Sequence, residues 1–201
     1  GSALVFDGTN LGIGTSSPLA TFDVRGDALV NGLTIGLGNN NNPTNTAIGY
    51  RALYSNTTGY QNHAIGIRAL YSNTDGYHNY ADGYYALSSN TTGYQNHAAG
   101  FNALMSNTTG YQNHADGYSA LMANTTGRYN YASGFWSLFS NTTGNLNQAT
   151  GRYSLASNTT GLRNHASGTN ALYSNTTGSN NQAVGYQALY SNATGVNNLG
   201  V

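Results

Sequence analysis

The sequence predicts an all-β chain: a β-solenoid (β-roll) of nine 17-residue coils, assembled as a homotrimer, behind a short β-rich N-terminal shaft. Three observations predict it: a strict internal period, a composition poor in charge and in helix formers, and ranks of large apolar residues that recur once per period. From Ala47 the chain repeats every 17 residues, nine times, without an insertion. Gly49, Gly66, Gly83 and so on to Gly185 mark the register, and Asn56, Asn73, Asn90 and so on to Asn192 keep step with them. Numbered from its Ala, the unit reads A-x-G-x-x-A-L-x-S-N-T-T-G-x-x-N-x. Places 1, 3, 7, 10, 13 and 16 hold Ala, Gly, Leu, Asn, Gly and Asn in every copy.

Seventeen residues are too few for a two-helix repeat, and Gly, Asn and Thr are poor helix formers. Around Ala47 the string Asn-x-Ala-x-Gly alternates fixed and free places, the period-2 mark of a strand whose small residues point inward. N-T-T-G reads as a turn, with Asn tolerating the left-handed region and Gly entering it at no steric cost. The A-L-x-S segment between them fits a second strand or one tight helical turn. Identical Asn residues in successive coils can stack as amide ladders about 4.8 Å apart, which makes nine coils a rod of roughly 43 Å.

Each coil offers one Leu and two Ala-sized residues to its interior against the backbone entropy of 17 ordered residues, a thin core for one chain. Apolar ranks run along the rod as well. Place 4 carries Tyr50, Tyr84, Phe101, Tyr118, Phe135 and Tyr186, and place 8 carries Tyr54, Tyr71, Met105, Met122 and Tyr190. Stripes of that length are seldom left in water, so these residues are expected to form the trimer interface, which would also cover open sheet edges.

Residues 1–42 read as a shaft or neck segment of short strands broken by Gly and Pro, and residues 43–201 as the repeat head, with Asn39 to Pro43 as the linker. The strings Gly12-Ile13-Gly14-Thr15-Ser16-Ser17-Pro18, Phe22-Asp23-Val24-Arg25-Gly26 and Gly32-Leu33-Thr34-Ile35-Gly36 resemble the shaft of trimeric phage tail fibres and of related bacterial surface fibres. Phe22 stands where that pattern usually has Leu. The 17-residue repeat is similar to repeats of such fibres and to the shorter A-I-G repeats of YadA-like trimeric autotransporter heads. The resemblance implies a homotrimer on a cell surface or virion, hence an extracellular location.

Composition excludes several classes. The charged residues are six Arg and six Asp, with no Lys, Glu or Cys and a net charge of zero. No basic face is available for nucleic acid, thiolate chemistry is absent, and no apolar run reaches the ~18 residues of a membrane helix. No Ser-His-Asp set, paired carboxylate or phosphate-binding glycine loop supports catalysis, so neither enzyme activity nor a cofactor is expected.

Several side-chain sets invite a chemical reading. Place 17 carries His63, Tyr80, His97, His114, Tyr131, Gln148, His165 and Gln182, flat polar groups that suit stacking better than metal ligation, since no carboxylate accompanies the His at ligand spacing. Asp75, Asp82 and Asp116 are too sparse for a calcium solenoid. Eight copies of N-x-T match a glycosylation sequon, but glycans every ~4.8 Å would collide. The Thr rank at place 11 is the arrangement an ice-binding solenoid presents, and hydrogen-bonded turn Thr is its simpler reading. In repeats five to seven, Arg128, Tyr129, Trp136, Phe139, Arg152, Tyr153 and Arg163 replace monotonous Tyr-Gln pairs. Aromatics beside Arg and amides suit sugar rings, and subunit packing is the plainer alternative. The function expected is therefore a non-enzymatic trimeric fibre adhesin whose partners are its own copies and a cell-surface glycan or envelope receptor. A passive spacer and an ice-binding rod are the alternatives.

Overall fold

The computed structural model describes residues 4–18, 20, 22–24, 26–30 and 33–201. Arg25 and Gly32 of the shaft strings lie outside them. All the regular structure described is β-strand, and the repeat region winds into a β-solenoid. At the N-terminus β1 (Leu4–Phe6), β2 (Leu11–Ile13) and β3 (Phe22–Val24) form a small sheet, β1 antiparallel and β3 parallel to β2. A hairpin of β4 (Ala28–Val30) and β5 (Leu33–Gly36) follows, and β5 pairs antiparallel with β6 (Thr46–Gly49), the first rung of the solenoid. Asp27 anchors the join, its carboxylate accepting the Leu37 N–H at 2.6 Å and the Gly38 N–H at 3.3 Å.

From β6 onward one strand per coil stacks parallel on the last: β7 (His63–Ile65), β8 (Tyr80–Asp82), β9 (His97–Ala99), β10 (His114–Asp116), β11 (Tyr131–Ser133), β12 (Gln148–Thr150), β13 (His165–Ser167), β14 (Gln182–Val184) and β15 (Leu199–Gly200). The register advances one repeat at every step, Ala64 facing Ala47 and Ala81 facing Ala64. Each strand from β7 to β14 occupies places 17, 1 and 2, with the place-1 Ala turned wholly inward. Gly66 then turns the chain at φ +124, where a Cβ would also strike the backbone of Gly83 in the next coil.

The A-L-x-S segment is neither strand nor helix. It belongs to a run of turns in which places 5 and 7 are left-handed: Arg68, just before it, has φ +55 and Leu70 φ +50, and the same places repeat this in every coil. A left-handed L-residue costs roughly 1–2 kcal/mol. Leu70 is held there because its side chain is fully buried and its N–H donates to the Ala86 carbonyl at 3.0 Å. The expected left-handed Asn and Gly of N-T-T-G are not found, since neither Asn73 nor Gly76 takes a positive φ. Glycine is required at place 13 for a different reason. A Cβ on Gly76 would overlap the Asn73 amide oxygen and the Gly93 carbonyl. The tight turn instead lets the N–H groups of Thr57, Thr58 and Gly59 converge on the single Thr74 carbonyl at 3.0, 3.1 and 3.1 Å.

The interior is richer than one Leu and two small residues per coil, because both invariant Asn residues are buried as well. At place 10 the Asn73 amide nitrogen donates to the Asn56 oxygen at 2.8 Å and to the Gly76 carbonyl at 3.0 Å. At place 16 the Asn79 backbone N–H and amide nitrogen both donate to the Asn62 oxygen, at 3.0 and 3.2 Å, and the amide reaches the Gly93 carbonyl at 2.8 Å. Two unbroken amide ladders thus run beside the Leu rank. Burying an amide unpaired costs about 1–3 kcal/mol, and here each rung satisfies the next.

Candidate functional site

The coil step appears directly on the surface as stacked rings. Tyr84, Phe101, Tyr118 and Phe135 at place 4 stack with centroids 4.9, 5.0 and 5.2 Å apart. At place 8 Tyr54 lies on Tyr71 at 5.5 Å and Tyr173 on Tyr190 at 5.1 Å. Arg51 lies 5.3 Å from the Tyr50 ring and 5.2 Å from the Tyr54 ring, so places 4, 5 and 8 share one face. Tyr50, Tyr54, Tyr84, Phe101, Tyr118, Phe135, Tyr186 and Tyr190 are all exposed on it, and Tyr71, Met105 and Met122 are half-buried.

The seven departures in repeats five to seven do not form one site. Trp136, Phe139, Arg152 and Tyr153 belong to this same aromatic face. The Trp136 ring lies 4.4 Å from Phe139 and 5.7 Å from Phe135, and meets Tyr153 edge-on at 5.8 Å. Arg152 lies over Tyr153 at 4.8 Å and over Phe135 at 5.6 Å. The indole N–H of Trp136 is buried there without a hydrogen-bond partner. Arg128, Tyr129 and Arg163 instead stand at places 14 and 15, across the N-T-T-G turn. There they line a hollow of about 420 Å³ with Tyr111, Asn145, Leu146 and Leu162.

The hollow arises where another stack stops. Tyr60, Tyr77, Tyr94 and Tyr111 at place 14 stack at 5.1, 5.0 and 4.7 Å. In the next coils Arg128, Asn145 and Leu162 take the ring's place. Arg128 donates to the Tyr111 hydroxyl at 2.7 Å with its guanidinium 5.5 Å from that ring, and Tyr129 meets Tyr111 edge-on at 5.4 Å. Hydrogen bonding with Tyr111, then desolvation, holds the Tyr129 phenol above its ordinary range, and Arg128 opposes this. Asn145 is positioned by its oxygen accepting the Arg128 backbone N–H at 2.8 Å. Tyr111, Asn145, Leu146 and Leu162 were not among the expected ligand residues. Their signal was present in the register, as the loss of Tyr from place 14.

At place 17 His63, Tyr80, His97, His114 and Tyr131 form a continuous stack with centroids 4.7, 4.7, 4.5 and 4.7 Å apart. Desolvation, reinforced by His97, pushes the His114 pKa below the ordinary value of 6.5, and Asp116 opposes this. Among the described residues no three His or Asp side chains gather as a metal ion would need, and no helix is long and apolar enough to cross a membrane. The place-11 Thr hydroxyls point along the solenoid wall: Thr91 donates to the Thr108 carbonyl at 3.0 Å and Thr108 to the Thr125 carbonyl at 3.1 Å. Only the place-12 rank faces water throughout, and Asp75 interrupts it, its carboxyl held below the usual range by the Thr58 and Thr57 hydroxyls.

Comparison with protein-family models, with curated proteins and with solved structures finds no match to this chain.

Proposed function

We propose that the chain is part of a non-enzymatic homotrimeric fibre, displayed outside the cell or on a virion, that adheres to a surface glycan or envelope component. One observation carries the reading. The apolar surface of the N-terminal hairpin runs into the aromatic face of the solenoid, Leu29 and Thr34 lining one hollow with Tyr50, Arg51 and Tyr54. Leu29 is 72% exposed and Tyr54 52%, so large apolar surface on that side of the hairpin continues onto the solenoid; Val30, Leu33 and Ile35, also exposed, lie on the hairpin's other face. An apolar stripe that crosses from one structural unit to the next is what identical subunits side by side would bury. Trp136, Phe139, Arg152 and Tyr153 then take part in subunit packing, and Arg128, Tyr129 and Arg163 are left facing outward for a ligand. Repetition of that outward site around a threefold axis would turn weak contacts into avid ones.

The test is a mass in solution followed by a glycan array. A particle of about 63 kDa, three times the 21.0 kDa chain, that binds glycans on the array supports the reading. A well-folded particle of 21.0 kDa overturns the fibre, and a trimer silent on the array leaves a spacer.

A further inference from the structure

The hollow at places 14 and 15 differs from the rest of the surface in its polar chemistry. It brings two arginines, Arg128 and Arg163, to one concavity that no carboxylate lines. Arg128 is oriented without being neutralised, because its partner is the Tyr111 hydroxyl and not an acid. The Asn145 oxygen accepts the Arg128 backbone N–H, which leaves the amide one oxygen lone pair and the two donors of its NH2 group. The polar lining therefore offers donors and positive charge. Tyr129, Leu146 and Leu162, all exposed, give it an apolar wall, and at about 420 Å³ it falls in the range of small-molecule sites.

A bare inorganic anion would use the donors and leave the wall wet. A neutral sugar would use the wall and leave two guanidinium groups without a counter-charge. We propose that the hollow binds an anionic saccharide, its carboxylate held between Arg128 and Arg163 and its ring laid against Tyr129, Leu146 and Leu162. Guanidinium forks match a carboxylate in a bidentate fashion, and sugar C–H faces stack on phenol rings. Arg128 and Arg163 belong to coils two steps apart, roughly 10 Å at the backbone, and with Arg128 held against Tyr111 the Arg163 side chain is the one that closes the span onto a bound carboxylate. The inference rests on the adhesin reading and narrows it to one ligand class at one site.

Titration calorimetry of the assembled protein with sialyllactose, a glucuronate-containing tetrasaccharide and lactose tests it. The acidic probes are expected to bind and lactose not to, with affinity falling as salt is raised from about 50 to about 300 mM. The Arg163 side chain makes no hydrogen bond or cation–π contact among the described residues, so Arg163→Gln should weaken binding roughly 10- to 100-fold without altering the circular dichroism melt; Arg128→Gln should weaken it similarly, with a small loss in the melt from the broken Tyr111 contact. If lactose or another neutral glycan binds and Arg163→Gln leaves that binding unchanged, the anionic site is wrong and the adhesin reading stands. If no saccharide binds here or on the array, both fall.

Discussion

Leu29 in the β4–β5 hairpin and Leu53 in the first coil are chemically the same residue in adjoining segments, yet the first is 72% exposed and the second wholly buried. The solenoid closes its own interior because each coil supplies a lid for the last: one Leu, two small residues and two amides per turn, all paired along the axis. The N-terminal strands are three or four residues long, and their large apolar side chains Leu4, Phe6, Leu29 and Val30 are exposed. Repetition thus substitutes for thickness of core, whereas a segment without repetition keeps its apolar surface for something else.

Breaking the coil step should have the largest effect. Gly117→Ala places a Cβ against the Gly134 backbone at a φ of +137, and a loss of about 4 kcal/mol or more, up to failure of the array to fold, is expected in thermal melts. The comparison itself is tested by one change made in two places. Leu121→Ala should cost about 2–5 kcal/mol by chemical denaturation. Leu29→Ala should leave the melt of an isolated chain within about 0.5 kcal/mol and instead lower the sedimenting mass from about 63 toward 21.0 kDa. Equal effects on stability would show that the hairpin shares the solenoid's core.

Asn113→Ala interrupts the place-16 ladder. It removes the donor to the Gly127 carbonyl and the acceptor of the Asn130 N–H, and about 2–4 kcal/mol should be lost in the same denaturation series. Asn113→Leu should not restore it, since the orphaned groups remain.

The smallest expected effect is a pH dependence at place 17. The unfolded chain takes up a proton on His114 near pH 6.5 while the folded stack resists it until lower pH. The contribution is therefore complete above pH 6.5 and is lost as pH falls through the lowered folded value. Melts at pH 7.5 and pH 5 should show a lower midpoint in acid, and His114→Gln, the residue already present at Gln148 and Gln182, should flatten that slope.

The solenoid was legible because its constraints recur at fixed places. Ala64, Leu70, Asn73 and Asn79 are invariant types, and all four are buried. The turn chemistry was less so. Place 5 takes φ near +55 in Arg68, Tyr85, Asn102 and Trp136 alike, so no residue preference announces it. Gly76, which looked like a left-handed glycine, serves close packing between coils. The seven departures from the repeat were legible in the sequence, and their division between two faces was not.

By itself the sequence determined the coil length, the stacking register and the inward residues, since each is a local demand made nine times over. Only the tertiary structure decided which places meet on the surface. That depends on how sharply the left-handed residues fold places 3–9 back and how N-T-T-G turns the chain. Those turns set Trp136 against Phe135 and Phe139, and set Arg128 and Arg163 around a hollow across the turn.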